Sequence, residues 1–288
     1  MSHYNSPLRY PGGKNCIFKF VSSLIYENGL IGIDYAEPYA GGAGLALRLL
    51  YGEYVDSIHI NDYDKSIYAF WKTVINDADD FCEWIDFLKV DMESWTYYKR
   101  IQENASSATI DELAKSTFFL NRTNVSGVIK GGVIGGKYQK GKYKIDARFN
   151  KSDLIKRIQK ISRFKKRIKV SNMDGINFIR KLNKHGNDVF IYLDPPYYKK
   201  GADLYMNFYK DSDHRKLAEF VADMNGTWMI SYDNQDYILS LYSQYRKMIY
   251  QLSQSASNRV GDEVLIFSNP LQFDKSRINL KNSKTVEM

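Results

Sequence analysis

Short apolar runs alternate with amphipathic stretches through the first 63 residues and again from 168 onward, while the stretch between them is patterned as helix almost throughout. Residues 31–37, 57–60, Ile168–Ser171, Val189–Leu193, 227–231, 245–252 and 263–268 are short and rich in aliphatic and aromatic side chains, which predicts strands. Val189–Leu193, reading Val-Phe-Ile-Tyr-Leu, lacks the polar alternation of a half-exposed strand and is expected to be buried on both faces of a sheet. Helical periodicity is expected over 15–26, over a stretch with Leu45, Leu49 and Leu50 on one side and Gly52 near its end, and over 174–181 and 214–224. Between 64 and 165 helices are expected at 65–76, 79–90, 94–104 and 109–121, and again from 151, where Leu154, Ile155, Ile158 and Ile161 form a core face. The glycine-, lysine- and tyrosine-rich segment 121–148 has no apolar period and predicts a flexible loop or hairpin. Residues 253–261 predict a hairpin loop between the last two strands, and 271–288 a polar, frayed tail.

Strands alternating with helices give an α/β fold class, and 288 residues allow one large domain or a domain carrying an insertion. No run of 18 apolar residues and no signal-peptide core is present, so a cytoplasmic protein without a membrane partner is expected. Cys16 and Cys82 are far apart, and His3, His59, His185 and His214 are scattered, so no disulfide framework or metal site is suggested. A formal charge of +8 is compatible with a polyanionic partner or with a merely solvated basic surface. The cations concentrate at Lys151, Lys156, Arg157, Lys160, Arg163, Lys165, Lys166, Arg167 and Lys169, against the single acid Asp153, and this face is the expected seat of a phosphate backbone. Aromatic residues make up 15% of the chain, and their faces suit base stacking as well as core packing.

The candidate chemistry begins where the predicted strands end. Asp194 follows Val189–Leu193, and in open α/β sheets ligands bind beyond the carboxyl ends of strands. Pro195 and Pro196 stiffen the turn and supply no N–H, which leaves carbonyls, one carboxylate and the rings of Tyr197 and Tyr198. Such a site accepts N–H donors and stacks on a flat ring, as the amino group of a nucleobase would require; Asp194 as a simple helix cap is the alternative. The glycine turn Pro38-Tyr39-Ala40-Gly41-Gly42-Ala43-Gly44 follows the first strand but does not match GxGxxG, which argues against a dinucleotide. Asp62, at the end of the second strand, could accept ribose hydroxyls or cap the next helix. The glycine pair before Lys14 could approach an anion or form a plain turn, and it lacks the spacing of a Walker A loop.

These features occur in a fixed order: Leu8-Arg9-Tyr10-Pro11-Gly12-Gly13-Lys14, then Glu37-Pro38-Tyr39-Ala40-Gly41-Gly42-Ala43-Gly44, Asn61-Asp62, and Asp194-Pro195-Pro196-Tyr197. Between them stands Phe119-Leu120-Asn121-Arg122-Thr123-Asn124-Val125-Ser126-Gly127, and after them Ile230-Ser231-Tyr232-Asp233-Asn234. Over residues 7–270 the set resembles the Dam-type (D12 class) DNA adenine-N6 methyltransferases, which use S-adenosylmethionine and release S-adenosylhomocysteine.

The resemblance implies a Rossmann-like methyltransferase sheet, mostly parallel and seven-stranded with its last strand inserted antiparallel. It divides the chain into a catalytic, cofactor-binding domain (1–63 and 166–288) and an inserted, mainly helical target-recognition domain (64–165). It implies cofactor contacts from Tyr10, Lys14, Glu37, Pro38, Tyr39, Gly41, Gly42 and Asp194, with Asp62 on the ribose and Asp174 on the adenine. Asp194, Pro195, Pro196 and Tyr197 would be catalytic. An aromatic amine is a poor nucleophile because its lone pair is delocalised; acceptance of its two N–H groups by Asp194 and the Pro195 carbonyl would aim the lone pair at the methyl carbon. The target adenine would be flipped out of double-stranded DNA and stacked on Tyr197. Arg122, Asn124 and Lys130 are candidate DNA contacts, with Asn121 and Arg122 equally open to bracing the fold.

After Arg122 the sequence departs from the family pattern, with Thr123-Asn124-Val125 where an aromatic is expected, so no target sequence is carried over. A cognate restriction endonuclease acting on the same site is a further candidate partner, and the implied protein is bacterial or phage-encoded, cytoplasmic and nucleoid-associated. The competing readings are methylation of another base amino group, such as cytosine N4 or a base in RNA, and a catalytically silent DNA-binding protein.

Overall fold

The order in which the strands pair decides which chain segments meet. A computed structural model describes residues 5–10, 13–183, 189–199, 209–254, 259–280 and 282–286. Pro11 and Gly12 of the N-terminal motif, His3, His185, residues 255–258 of the expected hairpin loop, and 281, 287 and 288 of the expected tail lie outside the described residues. The strands are β1 (Asp34–Glu37), β2 (Ile58–Asn61), β3 (Ile168–Ser171), β4 (Val189–Leu193), β5 (Trp228–Asp233), β6 (Arg246–Gln254), β7 (Arg259–Phe267) and β8 (Lys284–Val286). They form one sheet in the order β3-β2-β1-β4-β5-β7-β6-β8. β3, β2, β1, β4 and β5 run parallel, and β7 is inserted antiparallel between β5 and β6. The strand order reverses direction between β1 and β4, so the turns leaving Glu37 and Leu193 open side by side.

The helices are α1 (Phe18–Glu27), α2 (Gly44–Tyr51), α3 (Lys65–Asn76), α4 (Ala78–Phe87), α5 (Met92–Glu103), α6 (Ile110–Thr123), α7 (Lys151–Arg163), α8 (Gly175–Asn183), α9 (Asp211–Ala222) and α10 (Asp236–Leu241). Their starts carry the expected signals. Asp64 accepts from Ser66 N ahead of α3, Thr109 and Glu112 form a capping box on α6, and Asn150 accepts from Asp153 N ahead of α7. Side-chain alternation along the strands sorts the core into two faces. Tyr35, Phe190, Tyr192, Met229, Tyr250, Leu265 and Phe267 share one cluster with α1 and α2, whereas Ala36, Ile191, Leu193, Ile230, Tyr232, Val264 and Ile266 share the other with α8, α9 and α10. The first cluster continues without a break into Phe70, Phe81, Phe118, Phe119 and Ile158 of the helices between β2 and β3.

Two sequence expectations change, and a third is decided in favour of its hairpin alternative. The tail is not frayed: the Glu27 carboxylate accepts from Lys275 N at 3.0 Å and Ser276 N at 2.9 Å, a 3-10 turn covers Ser276–Asn279, and β8 pairs with β6. Three residues reading Lys-Thr-Val are too short and too polar to signal a strand. The 121–148 segment is tied by a short antiparallel bridge, with Val125 N donating to Gly132 O and Ile134 N to Thr123 O. The basic run from 151 is not one continuous helix. α7 ends at Arg163, and Lys165–Arg167 forms a turn at the start of β3, the opposite end of the strands from Asp194. Several of its cations already have partners: Lys151 Nζ donates to Asp86 O, Arg157 pairs with Asp153, Lys160 lies over the Tyr51 ring, and Arg167 pairs with Glu53. Among the described residues, no helix is long and apolar enough to cross a membrane.

Candidate active site

Asp194 leaves β4 at the reversal point, half-buried, with its two oxygens in unequal surroundings. Oδ1 lies 2.9 Å from Lys14 Nζ and accepts from Ser231 Oγ at 2.6 Å. Among the described residues no donor reaches Oδ2. Burial raises the Asp194 carboxyl above the ordinary range, while Lys14 and the Ser231 hydrogen bond pull it down. Lys14 comes from the N-terminal turn Lys14–Ile17, and its ammonium also donates to the Tyr197 hydroxyl at 2.7 Å and lies 3.9 Å from Glu263 on β7. Glu263 in turn accepts from the Tyr250 hydroxyl at 2.7 Å. Glu37, at the end of β1, accepts from the Tyr35 hydroxyl at 3.0 Å and from Ala46 N at 3.1 Å, and burial pushes its pKa up to about 8. Three buried or half-buried carboxyl groups thus surround one ammonium. Tyr197 is buried, and the loop beyond it is held by Asp233, whose carboxylate accepts from Tyr198 N at 2.9 Å and Lys199 N at 3.0 Å.

Beside this lies the glycine turn. Gly41 has φ +47°, and a Cβ there would stand 2.6 Å from the ring carbons of Tyr10, so the N-terminal motif packs directly on the turn. Gly41 N donates to Asp62 Oδ2 at 2.9 Å, and Gly41 O accepts from Trp71 Nε1 at 2.8 Å. The other Asp62 oxygen accepts from Asp64 N at 2.9 Å, so each oxygen keeps a lone pair, and burial pushes this carboxyl up to about 7. Asn61 is a brace: its Nδ2 donates to Pro38 O and Met173 O, both at 2.9 Å, and its Oδ1 accepts from Met173 N, linking the ends of β1, β2 and β3. Asp174 is exposed at the start of α8, accepts from Asn177 N at 3.1 Å, and lines a concavity of about 530 Å³ with Tyr209 and Asp213. Tyr39 bonds Tyr209 through the two hydroxyls at 2.8 Å and packs on Gly175. Tyr10, Lys14, Glu37, Pro38, Tyr39, Gly41, Gly42, Asp62, Asp174 and Asp194 therefore all lie around the carboxyl ends of β1 to β4.

The expected DNA contacts separate into two kinds. Asn124 is fully buried; its Oδ1 accepts from Trp95 Nε1 at 2.7 Å and its Nδ2 donates to Val128 O and Ile129 O. That amide is engaged inside the fold and presents nothing to DNA, which corrects its assignment as a contact. Arg122 is buried as well, donates through Nη2 to Arg148 O, and has its pKa lowered to about 9 by burial and by Arg9 and Arg157. Burial gives it a bracing position too. Asn121 closes a clasp, accepting from Arg9 N and donating to Arg9 O, both at 2.7 Å, and donating to Gly127 O at 2.8 Å. Lys130, by contrast, is exposed.

Ser231, Tyr192, Glu263 and Asp233 are polar site residues that sequence reasoning did not assign. Ser231 and Asp233 lie in the late motif Ile230–Asn234, which carried no role for either; for Tyr192 and Glu263 the signal was a polar group inside an otherwise apolar strand, as in Glu263-Val264-Leu265-Ile266-Phe267.

Residues 10–256 match the family model of the D12 class N6 adenine-specific DNA methyltransferases. The chain is also similar to the type II methyltransferase M.CviBI of Paramecium bursaria Chlorella virus NC1A, with 23% identity over 235 residues, 80% of this chain and 85% of that protein. The family match contains every motif placed around the strand ends, from Tyr10 to Asp233, and covers most of the sheet. The chain belongs to the D12 class of N6 adenine-specific DNA methyltransferases.

Proposed function

We propose that the protein transfers a methyl group from S-adenosylmethionine to the N6 amino group of an adenine rotated out of double-stranded DNA. The observation that carries this reading is the placement of Asp194 beside the glycine turn at the strand-order reversal, in a chain of this family. The residues suit the cofactor. Asp62 offers unfilled lone pairs to ribose hydroxyls, and Glu37, Asp194 and Glu263 around a single ammonium favour an added positive charge. S-adenosylmethionine would supply there an electrophilic methyl group on a positively charged sulfur.

The chain's own groups then act on the amine. Asp194 Oδ2 and the Pro195 carbonyl accept its two N–H groups, which draws the nitrogen toward tetrahedral geometry and frees its lone pair for attack. Pro195 and Pro196 have no N–H to compete for those acceptors. Proton loss can follow transfer, so no strong base is needed. Stacking of the base on Tyr197 would require that buried ring to be uncovered when DNA binds. Extrusion of a paired base costs a few kcal/mol, which contacts with the duplex must offset.

We assign 64–165 to target recognition and Lys130 to DNA contact, with Arg122 and Asn124 as its internal scaffold. The type II relative supports a cognate restriction endonuclease as partner.

The direct test is transfer from labelled S-adenosylmethionine to unmethylated genomic DNA, with nucleoside analysis of the product. N6-methyladenine is expected. N4-methylcytosine would overturn the base, and failure to bind the cofactor in calorimetry would overturn the reaction. Asp194→Ala should abolish transfer and leave DNA binding intact; an active variant would refute the assigned role.

A further inference from the structure

We propose that Ser231 is a positioning residue for methyl transfer: it holds one carboxylate oxygen of Asp194 so that the other is left for the substrate amino group. The proposal rests on the reading of Asp194 as the acceptor of that amine.

Ser231 sits on β5, which pairs in parallel with β4, and its hydroxyl is fully buried. Strand alternation puts Tyr192, Asp194, Ser231 and Asp233 toward the same side of the sheet. The Ser231 hydroxyl lies 2.6 Å from Asp194 Oδ1 and 2.8 Å from the Tyr192 hydroxyl. An ionised carboxylate can only accept, so the Ser231 proton points at Asp194 and the Tyr192 proton must point at Ser231. Both phenol and hydroxyl are buried, and burial raises the Tyr192 pKa well above the ordinary range, which keeps it a donor. The chain Tyr192, Ser231, Asp194 therefore has a single polarity. Lys14 reaches the same Oδ1 at 2.9 Å.

Two donors on one oxygen have two effects. They fix the rotation of the carboxylate, since Lys14 and Ser231 approach from the N-terminal turn and from β5 respectively. They also leave Oδ2, with no donor from the described residues, as the free acceptor. Lys14 alone could not do this, because its ammonium is shared with Tyr197 and lies near Glu263 as well. A rotatable point charge sets no direction, whereas the Ser231 hydroxyl is locked by Tyr192. Two residues along the same strand, Asp233 holds Tyr198 N and Lys199 N, so β5 fixes both the carboxylate and the loop that follows it.

The test is single-turnover methyl transfer to unmethylated genomic DNA, with saturating cofactor and enzyme in excess, followed across pH. The charged and titratable groups facing Asp194 are Lys14 from the N-terminal turn, Glu37 from β1, Glu263 from β7, and the phenols of Tyr192 and Tyr197. Ser231→Ala should lower the transfer rate roughly ten- to a hundredfold, the effect expected for loss of one hydrogen bond to a charged group. It should also move the acid limb of the profile to higher pH, because a donor that favours the ionised form is gone. A residue that merely filled space would not move that limb. Tyr192→Phe, which deletes one oxygen, should shift it in the same direction by less and serves if Ser231→Ala does not fold. Asp194→Ala separates the two readings. If it is inactive while Ser231→Ala and Tyr192→Phe keep the wild-type rate and limb, the role of Ser231 is wrong and that of Asp194 stands. If Asp194→Ala is active, the underlying reading of Asp194 falls.

Discussion

Asp62 and Glu37 are carboxyl groups whose burial pushes their pKa up, to about 7 and about 8. Unfolded, both would titrate near pH 4, so the folded chain binds extra protons across the interval between. The stability they contribute is fully present below about pH 4 and is lost as pH rises through about 7 to 8. Asp62→Asn and Glu37→Gln should therefore lose less melting temperature than wild type between about pH 4 and pH 8, and parallel curves would rule the shifts out. Cofactor affinity should run the other way. In the role proposed for it, the ionised Asp62 would accept the ribose hydroxyls, so calorimetric affinity should rise on going from about pH 6 to pH 8, and Asp62→Asn should flatten the rise.

Lys14 makes a different prediction. With carboxylates on two sides, its replacement by methionine should cost about 3–5 kcal/mol in equilibrium unfolding, since it strands buried negative charge. Residue type and position made Gly41, Asp62 and Asp194 legible in the sequence, because each follows an apolar strand. Ser231 and Glu263 were not, since their partners on β4 and the N-terminal turn are known only from the pairing. Nor can sequence distinguish an arginine or asparagine that braces a loop from one that grips a phosphate, as Arg122 and Asn124 show.

The ends of α6 and the bridge that follows it put that distinction to an experiment. Asn124→Ala leaves the Trp95 N–H and two carbonyls without their partner, and should lower stability by at least about 1–3 kcal/mol. It should leave the salt dependence of DNA binding unchanged. Lys130→Ala should instead weaken DNA binding about equally across sequences and reduce the salt slope by roughly one, with the melting temperature unaltered. Reversal of the two phenotypes would exchange their roles. Helix boundaries in this region were readable to within a few residues because caps such as Asp64 and Thr109 announce them. α10, at six residues, and β8, at three, were not. Their stability comes from the elements they rest on, which a local window does not contain.

At the scale of the molecule, the α/β class followed from strand pattern and the antiparallel insertion of β7 from the family resemblance, which gave seven strands where the described residues form eight. The packing between the two parts of the chain followed from neither. One apolar cluster joins Tyr35 and Leu47 to Phe70, Phe118 and Ile158, so the core of the helices between β2 and β3 is continuous with that of the sheet. Urea unfolding followed by circular dichroism and by tyrosine fluorescence should give one coincident transition. Two separated transitions would show that 64–165 folds independently.

The clasp between Asn121 and Arg9 joins residues 112 positions apart in the chain, on opposite sides of the boundary between the two proposed domains. Gly127 tightens it, since a Cβ there would stand 2.4 Å from Arg9 O. Under the proposed assignment of 64–165 to target recognition, specificity would not be a portable cassette. A graft of 64–165 from a relative would carry half of a lock whose key stays behind in the N-terminal motif, so new target preference must be inherited together with residues 8–10 or evolve in step with them.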